Sequence, residues 1–344
     1  MVNSRVIFFL LLWFATPASL CAQSLGGNSI FNFLRLSNTP KLTALGGVNV
    51  SHPVNEVGIT FQNPALLKPE MNQQLHLVFN DFYASTSIFH LSYGYYKKNW
   101  KTSFSSGLHY FNYGKVPATD ASGNILGQFR ATDMLFQISA ARSYLQRWNY
   151  GLSLKFISSR YGIYRSNGIA MDMGLLYADS GRGFRASVVM KNAGTQLKRY
   201  AEAGSEELPF EMQAGITQRL KGSPFMFSLT AQQMHRFNIR YADTSFNTVS
   251  GTTNKKAGFS GKLIDHLIIG TTIELNDRLV VDLGYNFLRR RELNTGSGDN
   301  GLNGFSYGME LKLKKFMFHF ARANYQANTA YNQIGLTLHM GQFW

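Results

Sequence analysis

Cysteine is almost missing from this chain: the one among 344 residues is Cys21. It lies in an N-terminal apolar stretch, and if that stretch is removed the mature chain can form neither a disulfide nor a cysteine metal site. Charge is scarce as well. Lys, Arg, Asp and Glu together make up 15% of the residues, against about 25% in soluble domains. Beyond the N-terminus no run reaches the ~18 consecutive apolar residues of a spanning helix, and the mean hydropathy is only −0.15. A polytopic helical membrane protein is excluded. The one Gly-x-Ser-x-Gly spacing, Gly304-Phe305-Ser306-Tyr307-Gly308, falls inside an alternating strand pattern and not at the strand-to-helix turn of a nucleophile elbow. A His-Glu-x-x-His zinc motif, a P-loop, a Cys-x-x-Cys pair and any serine followed three residues later by lysine are missing. The chain is therefore expected not to be an enzyme. A triad assembled from separate strands would leave no such spacing, since triads are recognised by geometry.

What is present is aromatic and small: 27 Phe, 17 Tyr, 4 Trp and 32 Gly. Few charges, many rings and no long apolar run suit a chain that alternates its apolar residues, as a transmembrane β-barrel does. At the N-terminus Arg5 precedes an apolar stretch from Val6 to Phe14, and Ala22 is a small residue suited to cleavage. Residues 1–22 read as a secretory signal peptide. A lipobox on Cys21 is the alternative, opposed by the bulky Leu20 before it. The charge balance is basic, 34 Lys and Arg against 19 Asp and Glu. Export and the scattered placement of these residues argue against nucleic acid as the partner. Anionic lipopolysaccharide or an acidic protein surface suits exported positive charge; a generally basic solvated surface suits it as well.

From Gln73 onward the apolar residues return with a period of two. Leu279, Val281, Leu283, Tyr285 and Phe287 share one face, opposite Asp282, Gly284 and Asn286. Tyr307, Met309, Leu311 and Leu313 stand likewise against Ser306, Gly308, Glu310 and Lys312. The pattern predicts strands over 73–82, 86–96, 100–113, 128–141, 148–160, 166–178, 183–192, 207–219, 224–234, 266–275, 278–288, 304–313, 316–326 and 330–343. A soluble sandwich would alternate too. The count, fourteen and even, and strand lengths mostly of ten or more residues favour a barrel crossing a bilayer. The odd-numbered connections total 85 residues and the even-numbered ones 21. Short periplasmic turns and long extracellular loops are the barrel rule. That parity places both termini in the periplasm of a Gram-negative bacterium.

The expected fold is thus all-β: a 14-stranded antiparallel transmembrane outer-membrane β-barrel over 73–344, with residues 23–72 as an N-terminal plug segment. A flexible periplasmic leader is the other reading of 23–72. The last strand ends in Phe343 and Trp344, aromatics suited to the membrane interface.

Ala44-Leu45-Gly46-Gly47 and Phe61-Gln62-Asn63-Pro64-Ala65-Leu66-Leu67, ahead of fourteen strands, resemble the FadL-like outer-membrane barrels. Gly26 to Leu34, Lys191 to Lys198, Leu208-Pro209-Phe210 and Ile216 to Lys221 resemble the PorV/PorQ branch of that group, from the Bacteroidetes type IX secretion system. The first two motifs are weak alone because they recur across FadL-like proteins. The likeness to the branch runs over nearly the whole mature chain. It implies a non-enzymatic member of the surface attachment complex, with PorU and PorV. Such a member would hold PorZ at the membrane so that secreted cargo is joined to anionic lipopolysaccharide. The resemblance supplies no catalytic residue and no cofactor. The alternative function is a FadL-like transporter of a hydrophobic small molecule, with 23–72 as a movable hatch. The lumen parity is rich in Ser, Gly, Gln, Asp, Glu and Lys, which speaks against an apolar conduit. A general diffusion porin is opposed by the plug.

Two constellations stand out. His76, His90, His109, His266, His319 and His339 all fall on the lumen parity, and strands 1, 13 and 14 adjoin once the barrel closes. His76, His319 and His339 could then bind zinc or act as a pH-sensitive latch; a polar lumen also takes histidine simply as a polar side chain. On the loops, Phe237, Tyr241, Lys255 and Lys256 in the stretch to Asp265, and Arg289, Arg290 and Arg291 after strand 11, are the partner-binding candidates. Arginine clusters suit carboxylates and phosphates, and exposed aromatics beside charge suit a protein interface. A solvated loop charge run has the same composition.

Overall fold

The computed structural model describes residues 29–81, 86–200, 206–240, 258–292, 301–326 and 329–342. The signal peptide, with Cys21 and Ala22, lies outside the described residues. So do Tyr241, Lys255, Lys256, Phe343 and Trp344.

Fourteen antiparallel strands close into one barrel in sequence order, with the first paired to the last. They are β1 (Gln74–Asp81), β2 (Ser87–Lys97), β3 (Thr102–Thr119), β4 (Ile125–Tyr144), β5 (Trp148–Tyr161), β6 (Tyr164–Asp179), β7 (Phe184–Lys198), β8 (Glu211–Arg219), β9 (Phe225–Ala231), β10 (Leu267–Glu274), β11 (Leu279–Asn286), β12 (Phe305–Lys312), β13 (Phe316–Gln326) and β14 (Thr329–His339). Closure leaves no unpaired edge, the condition for a sheet in lipid. Among the described residues no helix is long and apolar enough to cross a membrane.

The parity read from the sequence is the parity of the wall. Asp282, Asn286, Ser306 and Glu310 are buried while Leu283, Tyr307, Met309 and Leu311 are exposed. Leu283 stands 45% exposed on the outer face. Its replacement by arginine is expected to cost about 2–4 kcal/mol in the bilayer, read as a smaller heat-modifiable folded fraction in the outer membrane; wild-type folding would mean that this face does not meet lipid.

Some boundaries differ from the expectation. The connection expected over 114–127 is mostly sheet: β3 and β4 continue pairing to Thr119 and Ile125 after a register shift beyond Asn112. The Asp120 carboxylate closes the turn by accepting the N–H groups of Ser122 and Asn124. This hairpin projects past the apolar belt, where water meets both faces and no alternation marks the strand. Similarly, β7 runs on to Lys198 through a bulge at Asn192, whose φ is +57°. Strand β11 stops at Asn286, which caps a short helix by accepting the Arg289 N–H at 3.0 Å. Strand β14 ends at His339 and is followed by one 3-10 turn, Met340–Gln342.

Residues 30–72 lie inside the ring and touch every strand. Phe33 meets Phe111 at 4.9 Å, and the Ile30 N–H donates to the Glu207 carbonyl, both at the end of the long connections. The start of this segment thus sits opposite the barrel end from which β1 leaves. Helix α1 (Pro40–Ala44) follows, capped by Thr39, with Pro40 at its first position, and it rests on β11–β14. Asn49, Ser51 and His52 bond Ser228, Thr217 and Thr272 of β9, β8 and β10. The 3-10 turn Val57–Phe61 packs on β1–β3, and the turn Pro64–Leu66 on β4–β6. Asn63 between them donates to Ser187 of β7.

Inward glycines make this possible. A Cβ at Gly284 would strike Gly46, one at Gly151 would strike Pro64, and one at Gly174 would strike Asn63. Gly46 and Gly47 themselves have φ of +94° and +97°, open to glycine at little cost. The Ala-Leu-Gly-Gly and Asn-Pro-Ala-Leu stretches are thus the parts of the segment that seat in wall recesses.

Candidate functional site

The interior is polar and internally paired. In one group Lys41 of α1 lies 2.9 Å from Asp282 and 3.3 Å from Glu310. Burial alone would lower the Lys41 ammonium, but the two carboxylates hold it above its ordinary value. In a second group Lys155 of β5 sits 2.5 Å from Asp172 of β6, both side chains with no exposure. Lys155 also donates to Asn192 Oδ1 at 2.8 Å, inside the β7 bulge. Lys191 donates to Gln62 Oε1 at 2.8 Å, and both ammonium groups lie over the Phe61 ring, at 4.6 and 5.0 Å. The Lys191–Asn192 stretch, notable in the sequence only as part of a resemblance, is here a clamp between segment and wall.

Four histidines form a line along the inner wall. His319 and His76 are 5.9 Å apart, His76 and His90 6.1 Å, His90 and His109 3.9 Å, and Phe61 stacks on His109 at 4.3 Å. The expected trio of His76, His319 and His339 is not what the barrel assembles. His339 pairs across the sheet with Gln74 and lies 3.1 Å from its amide, near the barrel end and partly exposed. The place beside His76 and His319 is taken by Glu56 of the interior segment, with ligand atoms of the three within 4.8 Å of one another. Burial pushes the Glu56 carboxyl up to about 8. His52 is held well below its ordinary value, by burial and then by Lys41. His266 is spent on structure, donating Nδ1–H to the Gln232 carbonyl at 2.7 Å.

At the long-connection end two short helices, α2 (Phe259–Asp265) and α3 (Phe287–Glu292), pack together. Buried Asp265 joins them, pairing with Arg240 at 2.5 Å and Arg291 at 2.7 Å. Arg291 also donates to the Gly261 carbonyl, Arg289 reaches the Gly46 carbonyl at 3.2 Å, and Arg290 lies against Gly304. The triple arginine is thus part of a built cap and not a free loop. Beside it Phe237 and Phe259 meet at 5.5 Å, with Lys262 over the Phe237 ring. These rings are 50% and 70% exposed, an apolar surface at the cap.

Sequence reasoning missed Lys41, Glu56, Lys155, Asp172 and Asp282 as partners. A signal existed for part of this set: charged residues in mid-strand on the lumen parity need a buried counterion.

No family model matches the chain, and no curated protein matches it. Solved structures do. A monoaromatic hydrocarbon channel, the TodX deltaS2S3 mutant, superposes with a TM-score of 0.52 at 12% identity, covering 88% of this chain and 97% of that one. A FadL homologue of Pseudomonas aeruginosa superposes with a TM-score of 0.50 at 8% identity, covering 88% and 98%. At such identities the likeness is one of fold. The architecture is therefore that of the 14-strand outer-membrane barrels. Its fold is like those of the hydrocarbon channel and the FadL homologue.

Proposed function

We propose that this chain is a non-enzymatic outer-membrane anchor of the type IX secretion attachment complex, in the PorQ manner. Its long-connection end faces outward and holds a surface protein resembling PorZ, alongside PorU and PorV, where cargo is joined to anionic lipopolysaccharide. The observation that carries this reading is the filled lumen. The interior segment touches all fourteen strands, most of them through hydrogen bonds or buried ion pairs and β5 and β6 through packing of Pro64–Leu66, and an apolar passage of the sort a hydrophobic solute needs has no place in that network. The cap formed by α2 and α3, with Phe237 and Phe259 exposed, supplies the anchored aromatic surface that protein hot spots use.

The second reading is transport of a hydrophobic small molecule, favoured by the fold shared with a hydrocarbon channel and a FadL homologue. Mild-detergent purification from the native outer membrane, with mass spectrometry of what elutes, separates the two. The anchor reading expects a stoichiometric surface protein that is lost when residues 235–265 are trimmed. The barrel eluting alone with a reproducible apolar ligand would make transport the better account.

A further inference from the structure

We propose that Glu56, His76 and His319 form a divalent-cation site, best matched to zinc, that ties the interior segment to strands β1 and β13 of the wall. Each residue comes from a different part of the chain, and their donor atoms lie within 4.8 Å of one another in a fully buried position. Tetrahedral zinc bonds of ~2.0–2.1 Å would draw the farthest donors together by about 1.4 Å, within the reach of side-chain torsions.

The hydrogen-bond pattern around the trio singles out the same atoms. His76 Nδ1 lies 2.8 Å from Thr337 Oγ1, and His319 Nε2 lies 3.2 Å from that same oxygen. Thr337 can accept from both rings, which leaves the lone pairs on His76 Nε2 and His319 Nδ1. Neither of those two nitrogens meets a hydrogen-bond partner, and Glu56 has only the Thr39 hydroxyl beside it. Two buried ring nitrogens left unpaired and turned toward a buried carboxyl group are costly unless something binds them. A hydroxyl that fixes the tautomer of a ligating histidine is what zinc sites place behind the first ring of donors. Gly58 adds to the fit: a Cβ there would strike the His76 ring at Cδ2 and lie 3.0 Å from Nε2.

Charge points the same way. Glu56, Asp282 and Glu310 face one buried ammonium, Lys41, which is engaged by Asp282 and Glu310. Lys312 reaches Glu310 at 3.5 Å from a more exposed position. Glu56 instead meets His319, at 3.5 Å, and the Thr39 hydroxyl. A divalent ion between Glu56 and the two rings would supply the positive charge that lets this buried carboxyl group ionise, as Lys41 does for Asp282 and Glu310. Two imidazoles and one carboxylate suit first-row transition ions better than magnesium or calcium. Full burial and a path closed by the segment make the role structural, a rivet for the segment, with water or Glu310 in the fourth position. This inference does not depend on whether the barrel anchors or transports.

The test is elemental analysis of the full chain, carrying no histidine tag, purified from its membrane without chelator and also refolded in detergent with excess zinc. About one zinc per chain is expected in both preparations, as a folded-state site requires. Metal below about a tenth of an equivalent in both would overturn the proposal, and this readout needs no variant. Thr337→Val, which keeps the barrel wall and all three donors, should weaken zinc binding by about 10- to 100-fold. Unchanged affinity in that variant, or stoichiometric zinc retained by His76→Gln/His319→Gln, would place the ion elsewhere and sink the assignment. Refolding with cobalt adds a signature: a visible band of imidazole-bound cobalt in the parent, absent from the double variant.

Discussion

Replacing Lys155 by methionine is expected to destabilise the barrel by about 3–5 kcal/mol, the cost of leaving a buried partner charge uncompensated. Lys155 and Asp172 are 2.5 Å apart with no exposure on either side chain, so water cannot enter to solvate the carboxylate left behind. Asp172 would keep the Asn192 backbone N–H, which donates to its Oδ1 at 2.8 Å, and one amide does not offset a full charge. Loss of the ammonium also removes a bond to Asn192 Oδ1 and a cation from the Phe61 face. The check is the urea concentration at which the folded, heat-modifiable band disappears on a cold detergent gel. The double variant Lys155→Met/Asp172→Leu should recover most of the loss, because an apolar pair of similar volume often matches a buried ion pair. A single variant as stable as the parent would show that the pair is hydrated or broken in the membrane-inserted protein.

The second large effect concerns the segment itself. Leucine at Gly284 and at Gly151 is expected to drive residues 30–72 off the wall and to open a conducting path through the barrel. The side chains would have to enter space held by the backbone of Gly46 and of Pro64, and backbone, unlike the tip of a flexible side chain, cannot step aside locally. Both glycines face inward, so neither substitution disturbs the lipid face and the ring should still close. In planar bilayers the parent should show little conductance and the double variant should show single-channel steps at least about tenfold larger, since a barrel of this strand number has a lumen wide enough for solute once emptied. Glycine replaced by leucine at Gly301, where a Cβ would meet nothing and the backbone is not in the left-handed region, serves as the control for general damage. A folded double variant that stays as silent as the parent would mean that the segment tolerates displacement without opening a path.

Much of the fold was legible because its signal is local. A strand sends successive side chains to opposite faces, so Leu283 and Asp282 declare lipid and lumen by their neighbours alone, and each of the fourteen predicted strands overlaps an observed one. That signal fails where its cause fails. Beyond the apolar belt the β3–β4 hairpin meets water on both faces and reads as loop. At Phe287 the alternation continues for a residue or two in composition while the Asn286 cap has already started a helix. The weak Gly-Gly and Asn-Pro motifs could be recognised as turns, but the recesses at Gly284, Gly151 and Gly174 that receive them belong to strands far along the chain.

The candidate sites divide along the same line. His76 and His319 were placed on the lumen and near one another by parity and by closure of the first strand on the last. Their third companion was not, since Glu56 comes from a segment without periodicity, whose path is fixed only by what it packs against. Arg289, Arg290 and Arg291 read as a free basic run until the partners of two of them, the Gly46 carbonyl and Asp265, are seen on distant elements. The sequence by itself determined the barrel, its strand number and its inside and outside, because period-two alternation is a property of neighbouring residues. Only the tertiary structure decided which buried charges meet and how the interior segment winds past all fourteen strands. Those pairings arise from barrel closure, which brings together residues that no local pattern connects.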